Sequence, residues 1–461
     1  MSTTTKTKLS SSSDEAAAIF PPGFTLNHIH SICEQAALSK CSLRFLTWLY
    51  LLEVFDQHSS SPQLWSLTKQ REEYSLLKSQ IVVENPSECS SSSDPLSTSS
   101  DGDHSLWEKH FRNERVLSLV RKDLSRMNFN LELLEKPEVL KMLEEILLVF
   151  SISSYKSQEI SEHFNYRQGM HELAAVLLYV RINDSIDSVY IKRDEETRPI
   201  SSVDWMPIIA DLMSSDYVAH DVYIALCKIM DEMLPWFINP APKEKTNSKA
   251  LNPILFEPIL NPNQNSKNEE DDSGPIASAC KSVYSHVSKR NPALISHFLS
   301  LNIEPHLFLI PWLRLLFLRQ FHVLDVLKLW DVIFCHGITV MPLFISAAMI
   351  EYLQSDLIGF DFNRALRRLM SFPPIEDPFM LALRGLEIRW PSRRVFKSSA
   401  VPSAPTEKPA KIVKNPLLVK VDDCITQLIS LVSGQDTISS SSVLPIINDL
   451  RLLREEMSRD V

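Results

Sequence analysis

The chain has 461 residues, of which 44% are hydrophobic and 23% are charged, a balance typical of a globular protein. Its formal net charge of −10 at pH 7 excludes a chain-wide basic surface, so nucleic acid is not expected as a partner. The eight glycines are widely spaced, and the closest pair, Gly337 and Gly359, lies 22 residues apart. This spacing excludes the glycine-rich loops of dinucleotide-binding proteins, P-loop NTPases and protein kinases, and the nucleophile elbow of serine hydrolases.

Cysteine spacing and hydropathy indicate a cellular compartment. The chain has seven cysteines, and their spacing fits neither a zinc site nor a redox motif. This odd number favours free thiols in a reducing compartment. The histidines show no metal-ligand pattern. The longest charge-free apolar run, 338–350, has 13 residues and is shorter than the roughly 18 needed to span a bilayer. We therefore expect a cytoplasmic protein that reaches membranes peripherally, through partners.

Apolar residues recur at helical spacing along most of the chain, which predicts an all-α fold. Residues 1–22 are rich in Ser and Thr and are predicted to be a disordered N-terminus. One large helical domain is predicted over 23–397, with disordered insertions near the serine-rich stretch 86–103 and the proline-rich stretch 240–275. A linker at 398–415 and amphipathic helices within 416–461 are predicted to follow.

Two segments stand out as candidates for function. In the first, Asp123 and Arg126 lie one helical turn apart, so they fit either an exposed ion pair or a functional arginine oriented by an acid. In the second, Tyr166, Gln168 and Gly169 precede a strongly periodic helix. Gln168 fits either a helix cap or a functional side chain at a helix start, where Gly169 lets the backbone turn. Neither segment alone distinguishes these alternatives.

Taken together and in this order, the segments resemble a known family. Arg44 and Trp48 fit an RxxxW element, Val120-x-x-Asp123-x-x-Arg126 fits IxxDxxR, and Tyr166-x-Gln168-Gly169-Met170 fits YxQGM. Residues 310–321 and 329–334 resemble two later segments, RW-x-R-LLF-x-REF and LWD-x-IF. Over 23–396 the chain is thus similar to the TBC domain of Rab GTPase-activating proteins, and it is most similar to the subgroup of TBC domain family member 5.

The resemblance implies a TBC-type multi-helix domain and a mechanism. Arg126 would be an arginine finger and Gln168 a glutamine finger that together accelerate GTP hydrolysis by a Rab. Asp123 would position Arg126, while Tyr166 and Gly169 would support the glutamine segment. The chain would need no cofactor of its own, because GTP and Mg²⁺ are carried by the partner GTPase.

Several other polar residues are expected to have structural roles. Arg44 and Trp48 lie one turn apart and are expected to fix two helices together. Arg314 and Arg319 are predicted to lie in an apolar helix, where internal ion pairs are favoured over direct contact with the GTPase. His171 and Glu172 are interpreted as satisfied polar groups rather than catalysts.

The resemblance also implies partners and a cellular role. In the subgroup, an Asn-Pro-Leu stretch docks onto the phosphoesterase-like subunit of retromer, and Pro95-Leu96 stands at the corresponding place here; the alternative is a plain turn. A Rab on late-endosomal or vacuolar membranes would be the substrate, with recruitment to endosomal or other endomembranes and a role in vesicle trafficking. The rival hypothesis is a catalytically silent scaffold that binds a Rab or retromer. A self-contained hydrolase is disfavoured because the chain lacks a nucleophile, metal or cofactor motif.

Overall fold

The computed structural model describes residues 18–21, 23–55, 65–81, 106–127, 129, 131–153, 166–184, 206–238 and 274–392. Within these residues the regular structure is helical, which confirms the all-α prediction. The α-helices are, in chain order, α1 (Leu26–Glu34), α2 (Arg44–Leu51), α3 (Thr68–Ile81), α4 (Leu106–Leu124), α5 (Pro137–Ile152), α6 (Met170–Asn183), α7 (Met206–Leu212), α8 (Val218–Phe237), α9 (Pro275–Arg290), α10 (Pro292–Ser300), α11 (His306–Arg314), α12 (Val323–His336), α13 (Met341–Tyr352), α14 (Gln354–Leu357), α15 (Phe362–Met370) and α16 (Phe379–Arg389).

Several predicted segments lie outside the described residues. These are the serine-rich insertion at 86–103, the linker at 398–415 and the C-terminal helices at 416–461. Of the predicted insertion at 240–275 only the last two residues are described, and Pro275 already begins α9. Proline fits this first helical position because its missing N–H would have no partner inside the helix.

The ordered domain begins earlier than the sequence analysis predicted. Phe20 belongs to the segment that we expected to be disordered, yet its side chain is fully buried. Its ring makes edge contacts with Phe24 and Trp65, at centroid distances of 5.3 and 4.9 Å, and Trp65 stacks on Phe55. The Ser/Thr-rich composition hides this anchor because a single aromatic residue scarcely changes the average of its neighbours.

Helix α6 is at the centre of the core and positions the candidate site. It is buried on almost every side and packs against α2, α4, α5 and α8. A helix that is apolar on all faces is stable only when other elements surround it. The segment with Asp123 and Arg126 is at the end of α4, and the segment with Tyr166 and Gln168 directly precedes α6. Because α4 and α6 pack together, the same core holds both segments.

A buried carboxylate on α8 holds two arginines from different helices. Asp221 is fully buried and accepts from Nε of Arg71 at 2.9 Å through Oδ1, and from Nε of Arg181 at 3.0 Å through Oδ2. The guanidiniums also donate to backbone carbonyls, from Nη2 of Arg71 to Leu212 at 2.6 Å and from Nη2 of Arg181 to Ser214 at 2.7 Å. The cluster therefore links α3, α6 and α8 to the turn that follows α7.

Another buried carboxyl joins the end of α6 to the start of α2. Asp184 accepts a hydrogen bond of 2.7 Å from the backbone N–H of Phe45, in the first turn of α2. Burial raises the pKa of this carboxyl from 3.8 to about 7, although the Phe45 N–H and the nearby Arg44 and Arg181 oppose the shift. The folded state thus favours the protonated form.

This shift predicts that Asp184→Asn will stabilise the protein at alkaline pH. The folded-state pKa is the higher one, so the contribution of Asp184 to stability falls as pH rises from about 4 through 7. Asparagine keeps an oxygen for the Phe45 N–H but carries no charge. We expect the free energy of unfolding of the variant to exceed that of the wild type by about 1 kcal/mol or more at pH 8. The gain should become small near pH 4, where the carboxyl of the unfolded chain is protonated as well. Urea unfolding at both pH values measures it, and an equal effect at the two values would contradict the shift.

Candidate functional site

Arg126 lies in the turn that ends α4 and is exposed to solvent. The helix is anchored by buried Val116 and Val120, and its last residue, Leu124, is also buried. The backbone N–H of Arg126 donates to the carbonyl oxygen of Asp123 at 3.1 Å, which closes the turn. Within the described residues the side chain of Arg126 has no hydrogen-bond or ion-pair partner.

The carboxylate of Asp123 is bonded differently from what we expected. It was interpreted as the group that orients Arg126, but its Oδ2 accepts from the hydroxyl of Tyr166 at 2.6 Å. Burial, followed by this bond to Asp123, raises the pKa of Tyr166 above its ordinary value, so the hydroxyl stays protonated and donates. Asp123 contacts Arg126 only through the backbone hydrogen bond that closes the turn. Asp123 therefore joins the two candidate segments to each other.

Gln168 is exposed in the turn immediately before α6. The next residue, Gly169, is the N-cap of α6 and has φ of 102°, a conformation that favours glycine. Gly169 is buried, and a Cβ built on it would lie 2.8 Å from Cδ2 of Leu315. The positive φ and the close approach of Leu315 both require glycine at this position. This backbone conformation also sets the direction of Gln168 relative to α6.

Gly169→Ala should disturb this turn. A non-glycine residue at such a φ costs about 1–3 kcal/mol, and the methyl group would push against buried Leu315. We expect a comparable loss in the free energy of unfolding, measured in urea. A matched control is Gly359→Ala, because Gly359 has nothing within 4 Å of a built Cβ and no positive φ. Equal stabilities of the two variants would contradict the assignment.

The segment after α11 forms a tight buried turn, although its apolar pattern predicts a helix. Leu316 and Phe317 have positive φ values of 46° and 72° although neither is glycine. Both are fully buried, and the indole N–H of Trp330 donates to the carbonyl oxygen of Leu316 at 3.1 Å. Packing and this hydrogen bond hold the unfavourable backbone, and the preceding Leu315 meets Gly169. Nothing in the run of leucines signals this turn.

The two arginines that flank this turn have internal partners. Nε of Arg314 donates to the backbone carbonyl of Trp236 at 2.5 Å, so its partner is a carbonyl and not an acid. Nε of Arg319 lies 3.0 Å from Oε1 of Glu172, which forms the predicted internal ion pair. The side chain of Arg319 nevertheless stays 52% exposed, while that of Glu172 is 7% exposed. Glu172 is thus a buried anchor in the first turn of α6.

The RxxxW element fixes α2 to α12. Asp331 is fully buried on α12, and its carboxylate forms an ion pair with Nε of Arg44 at 3.2 Å. The same carboxylate accepts from the indole N–H of Trp48 at 2.8 Å. This agrees with the structural role expected for Arg44 and Trp48. The partner was not predicted, although it is the aspartate of the later LWD-x-IF segment.

Pro95 and Leu96 lie outside the described residues, so docking through them stays a prediction. In the part of the chain that the structure describes, no group of three or more His, Cys, Asp or Glu side chains has a metal-binding arrangement. Among the described helices, none combines the length and the apolar character needed to cross a bilayer.

Comparisons with known proteins show the family of the chain. The model of the Rab-GTPase-TBC domain family matches residues 41–257 and 255–358, more than half of the chain. Human TBC1 domain family member 5 is 26% identical over 364 residues, which cover 77% of this chain and 42% of that protein. The Dictyostelium discoideum TBC1 domain family member 5 homolog B is 26% identical over 432 residues, covering 77% of this chain and 40% of that protein. The chain thus spans about two fifths of the length of these relatives.

A solved structure has the same fold. The crystal structure of the Ypt/Rab-GAP domain of Gyp1p superposes with a TM-score of 0.53 at 15% sequence identity. The match covers 84% of this chain and 99% of that one.

Proposed function

Because the chain belongs to the Rab-GTPase-TBC domain family, we propose that it is a GTPase-activating protein for a Rab-family GTPase. The proposed reaction is faster hydrolysis of Rab-bound GTP, with Arg126 and Gln168 as the residues that act on the nucleotide. One observation carries the proposal: the 2.6 Å hydrogen bond from Tyr166 to Asp123 joins the two segments that bear these exposed side chains. An ordinary surface ion pair or helix cap would not need such a link.

The proposed chemistry follows from the barrier to GTP hydrolysis. Negative charge spreads over the phosphoryl oxygens in the transition state, and the attacking water has to be held in line. A guanidinium delivered by Arg126 would neutralise this charge, since its planar donors match phosphate geometry. The carboxamide of Gln168 can accept from and donate to a water molecule, which would orient it. The Rab would supply GTP and Mg²⁺.

The arrangement of the site supports delivery of both groups without large rearrangement. Arg126 and Gln168 lie in turns at helix ends, where side chains project away from the core. The Asp123–Tyr166 bond and the packing of α4 on α6 restrict how far these turns can move apart. Preorganised charge is the largest single contribution in many enzymes because nothing has to be reoriented at the moment of reaction.

We extend the proposal to partners and location. The proposed substrate is a late-endosomal Rab, and Pro95-Leu96 is proposed to dock on the phosphoesterase-like subunit of retromer. The protein would be recruited from the cytoplasm to endosomal membranes in vesicle trafficking. These proposals rest on the resemblance to TBC domain family member 5. The names of the two curated relatives above support that subgroup. Their greater length leaves room for further partner-binding regions in those proteins.

The experiment that tests the proposal is single-turnover GTP hydrolysis across a panel of purified Rabs, with wild type, Arg126→Ala and Gln168→Ala. Strong acceleration of one or two Rabs by the wild type, lost in both variants, would establish the activator and identify its substrate. Binding of a Rab–GTP complex without acceleration of any Rab would reject the proposal and favour the scaffold alternative.

A further inference from the structure

A buried histidine lies behind the two proposed fingers and contacts both of the segments that bear them. His171 is in the first turn of α6 and is 4% exposed. Its Nδ1 lies 3.1 Å from the hydroxyl of Tyr166 and 3.8 Å from Oδ2 of Asp123. On its other side, Nε2 lies 4.0 Å from Oε1 of Glu172. The ring therefore stands between two carboxylates.

The hydrogen bonds of Tyr166 determine which nitrogen of the His171 ring carries the proton. The Tyr166 hydroxyl has one proton, and the 2.6 Å distance to the carboxylate of Asp123 shows where it is directed. The hydroxyl oxygen can then only accept from His171. The ring nitrogen at 3.1 Å must therefore be Nδ1–H, and a neutral ring leaves Nε2 unprotonated towards Glu172.

The surroundings of the ring favour this neutral form. Burial lowers the pKa of His171 below its ordinary value of 6.5, which outweighs the carboxylates of Glu172 and Asp123. Arg319, which holds Glu172, lowers the pKa of His171 further. Tyr166 contributes only its hydroxyl, which stays protonated. Among the residues that the structure describes, these are the titratable and charged groups that face the ring from α4, from α6 and its preceding turn, and from the turn after α11.

We propose that His171 is a positioning residue for the GTPase-activating reaction. By donating from Nδ1 it fixes the Tyr166 hydroxyl on Asp123, and this bond keeps the segment of Arg126 against the segment of Gln168. The proposal rests on the proposed function. His171 touches neither finger, so it acts through Tyr166 and Asp123 and does not contact the nucleotide.

Protonation of His171 would weaken this arrangement. The second proton enters at Nε2, where it faces Glu172, so the ring is drawn towards that carboxylate and away from Tyr166. The cation would also compete with Arg319 for Glu172. Because the neutral ring is the working form, rate acceleration should be full at neutral pH and decline once pH falls through the folded-state pKa of His171, which lies below 6.5.

The test is steady-state and single-turnover hydrolysis by the Rab that the panel identifies, with His171→Leu and His171→Asn in the full chain. His171→Leu removes the donor, and we expect kcat to fall about ten- to hundredfold while KM for the Rab–GTP complex changes less than threefold. Asparagine has an amide N–H near the position of Nδ1, so His171→Asn should restore most of kcat. Each rate is divided by the intrinsic rate of the Rab at the same pH.

The pH profile separates positioning from a merely structural role. The wild-type acceleration should be constant at neutral pH and decline once the pH falls through the lowered folded-state pKa of His171, whereas that of His171→Asn should stay level over the same range. The matched control is His286→Asn, because burial also lowers the pKa of His286, which packs on Phe344 away from the site. This control should keep the wild-type profile.

The outcomes distinguish the two proposals. Equal kcat values and equal pH profiles for wild type and His171→Leu would overturn the positioning role while leaving the activator intact. The role would also be rejected if His171→Leu and His171→Asn lost kcat to the same extent. A wild type that accelerates no Rab would instead reject the proposed function. Urea unfolding of each variant is measured in parallel, and a kcat loss in His171→Leu with an unchanged unfolding midpoint supports the positioning role.

Discussion

Arg126→Ala should lower the accelerated rate of Rab GTP hydrolysis by about 10³-fold or more, with little change in stability. An arginine finger contributes about 10³–10⁵ in rate, or roughly 4–7 kcal/mol of barrier. An exposed helix ion pair contributes only about 0–1 kcal/mol. The exposed position of Arg126 and its lack of a side-chain partner among the described residues predict that nothing inside the fold depends on it. Single-turnover rates and urea unfolding measure the two quantities.

Two further variants sharpen this result. Arg126→Lys keeps the charge but loses the planar donors, so it should recover only a small part of the rate. Arg121→Ala is the matched control, because Arg121 is half exposed on the same helix and pairs with Glu144 at 3.0 Å. Its rate should stay within about twofold of the wild type, a difference below 1 kcal/mol. An Arg126→Ala rate as high as that of Arg121→Ala would show that Arg126 is no finger.

The second large effect is expected at Asp221, where Asp221→Asn should destabilise the fold by more than about 3 kcal/mol. The substitution keeps the shape of the side chain but leaves Arg71 and Arg181 buried without an anion. Both guanidiniums are almost inaccessible to water, with side-chain exposures of 5% and 0%. A loss of this size is a large fraction of the stability of an ordinary domain, so soluble yield should also fall.

Chemical denaturation of purified Asp221→Asn measures this loss. Asp325→Asn is the matched control, because Asp325 pairs with Lys328 at 2.9 Å on the surface of α12, and both side chains are at least a quarter exposed. Its unfolding free energy should change by no more than about 0.5 kcal/mol. If the two variants unfold alike, the buried cluster is not what holds α3, α6 and α8 together.

Most of the longer helices could be predicted because they are amphipathic or continuously apolar over several turns. The stripe through Val116, Val120 and Leu124 predicts the buried face of α4, and these side chains are indeed buried. The tight turn at Leu316 and Phe317 could not be predicted in the same way. Its conformation is imposed by tertiary packing and by a hydrogen bond from Trp330, not by any residue with a preference for positive φ.

The order of the motifs identifies the residues of the candidate site, but it does not predict the hydrogen bonds between them. The motifs single out Asp123 and Tyr166, which are 43 residues apart, without indicating that one binds the other. Helical spacing suggests instead that Asp123 pairs with Arg126, its neighbour one turn away. Tertiary structure decides otherwise, because the packing of α4 on α6 brings a buried hydroxyl within reach of the carboxylate. The spacing of residues along a helix gives no information about a partner such as Tyr166, which is distant in sequence.

The pairing of Asp331 with Arg44 and Trp48 joins positions 287 and 283 residues apart, and it constrains how the protein is made. On a ribosome that adds about 5–20 residues per second, α2 is synthesised roughly 15–60 s before its carboxylate partner. During that interval Trp48 and the guanidinium of Arg44 lack the partner that satisfies them in the native state. The domain can therefore complete its folding only after α12 has left the ribosome, and shorter nascent chains leave uncovered the face of Trp48 that packs on Trp330 and Phe334, a kind of surface that chaperones shield.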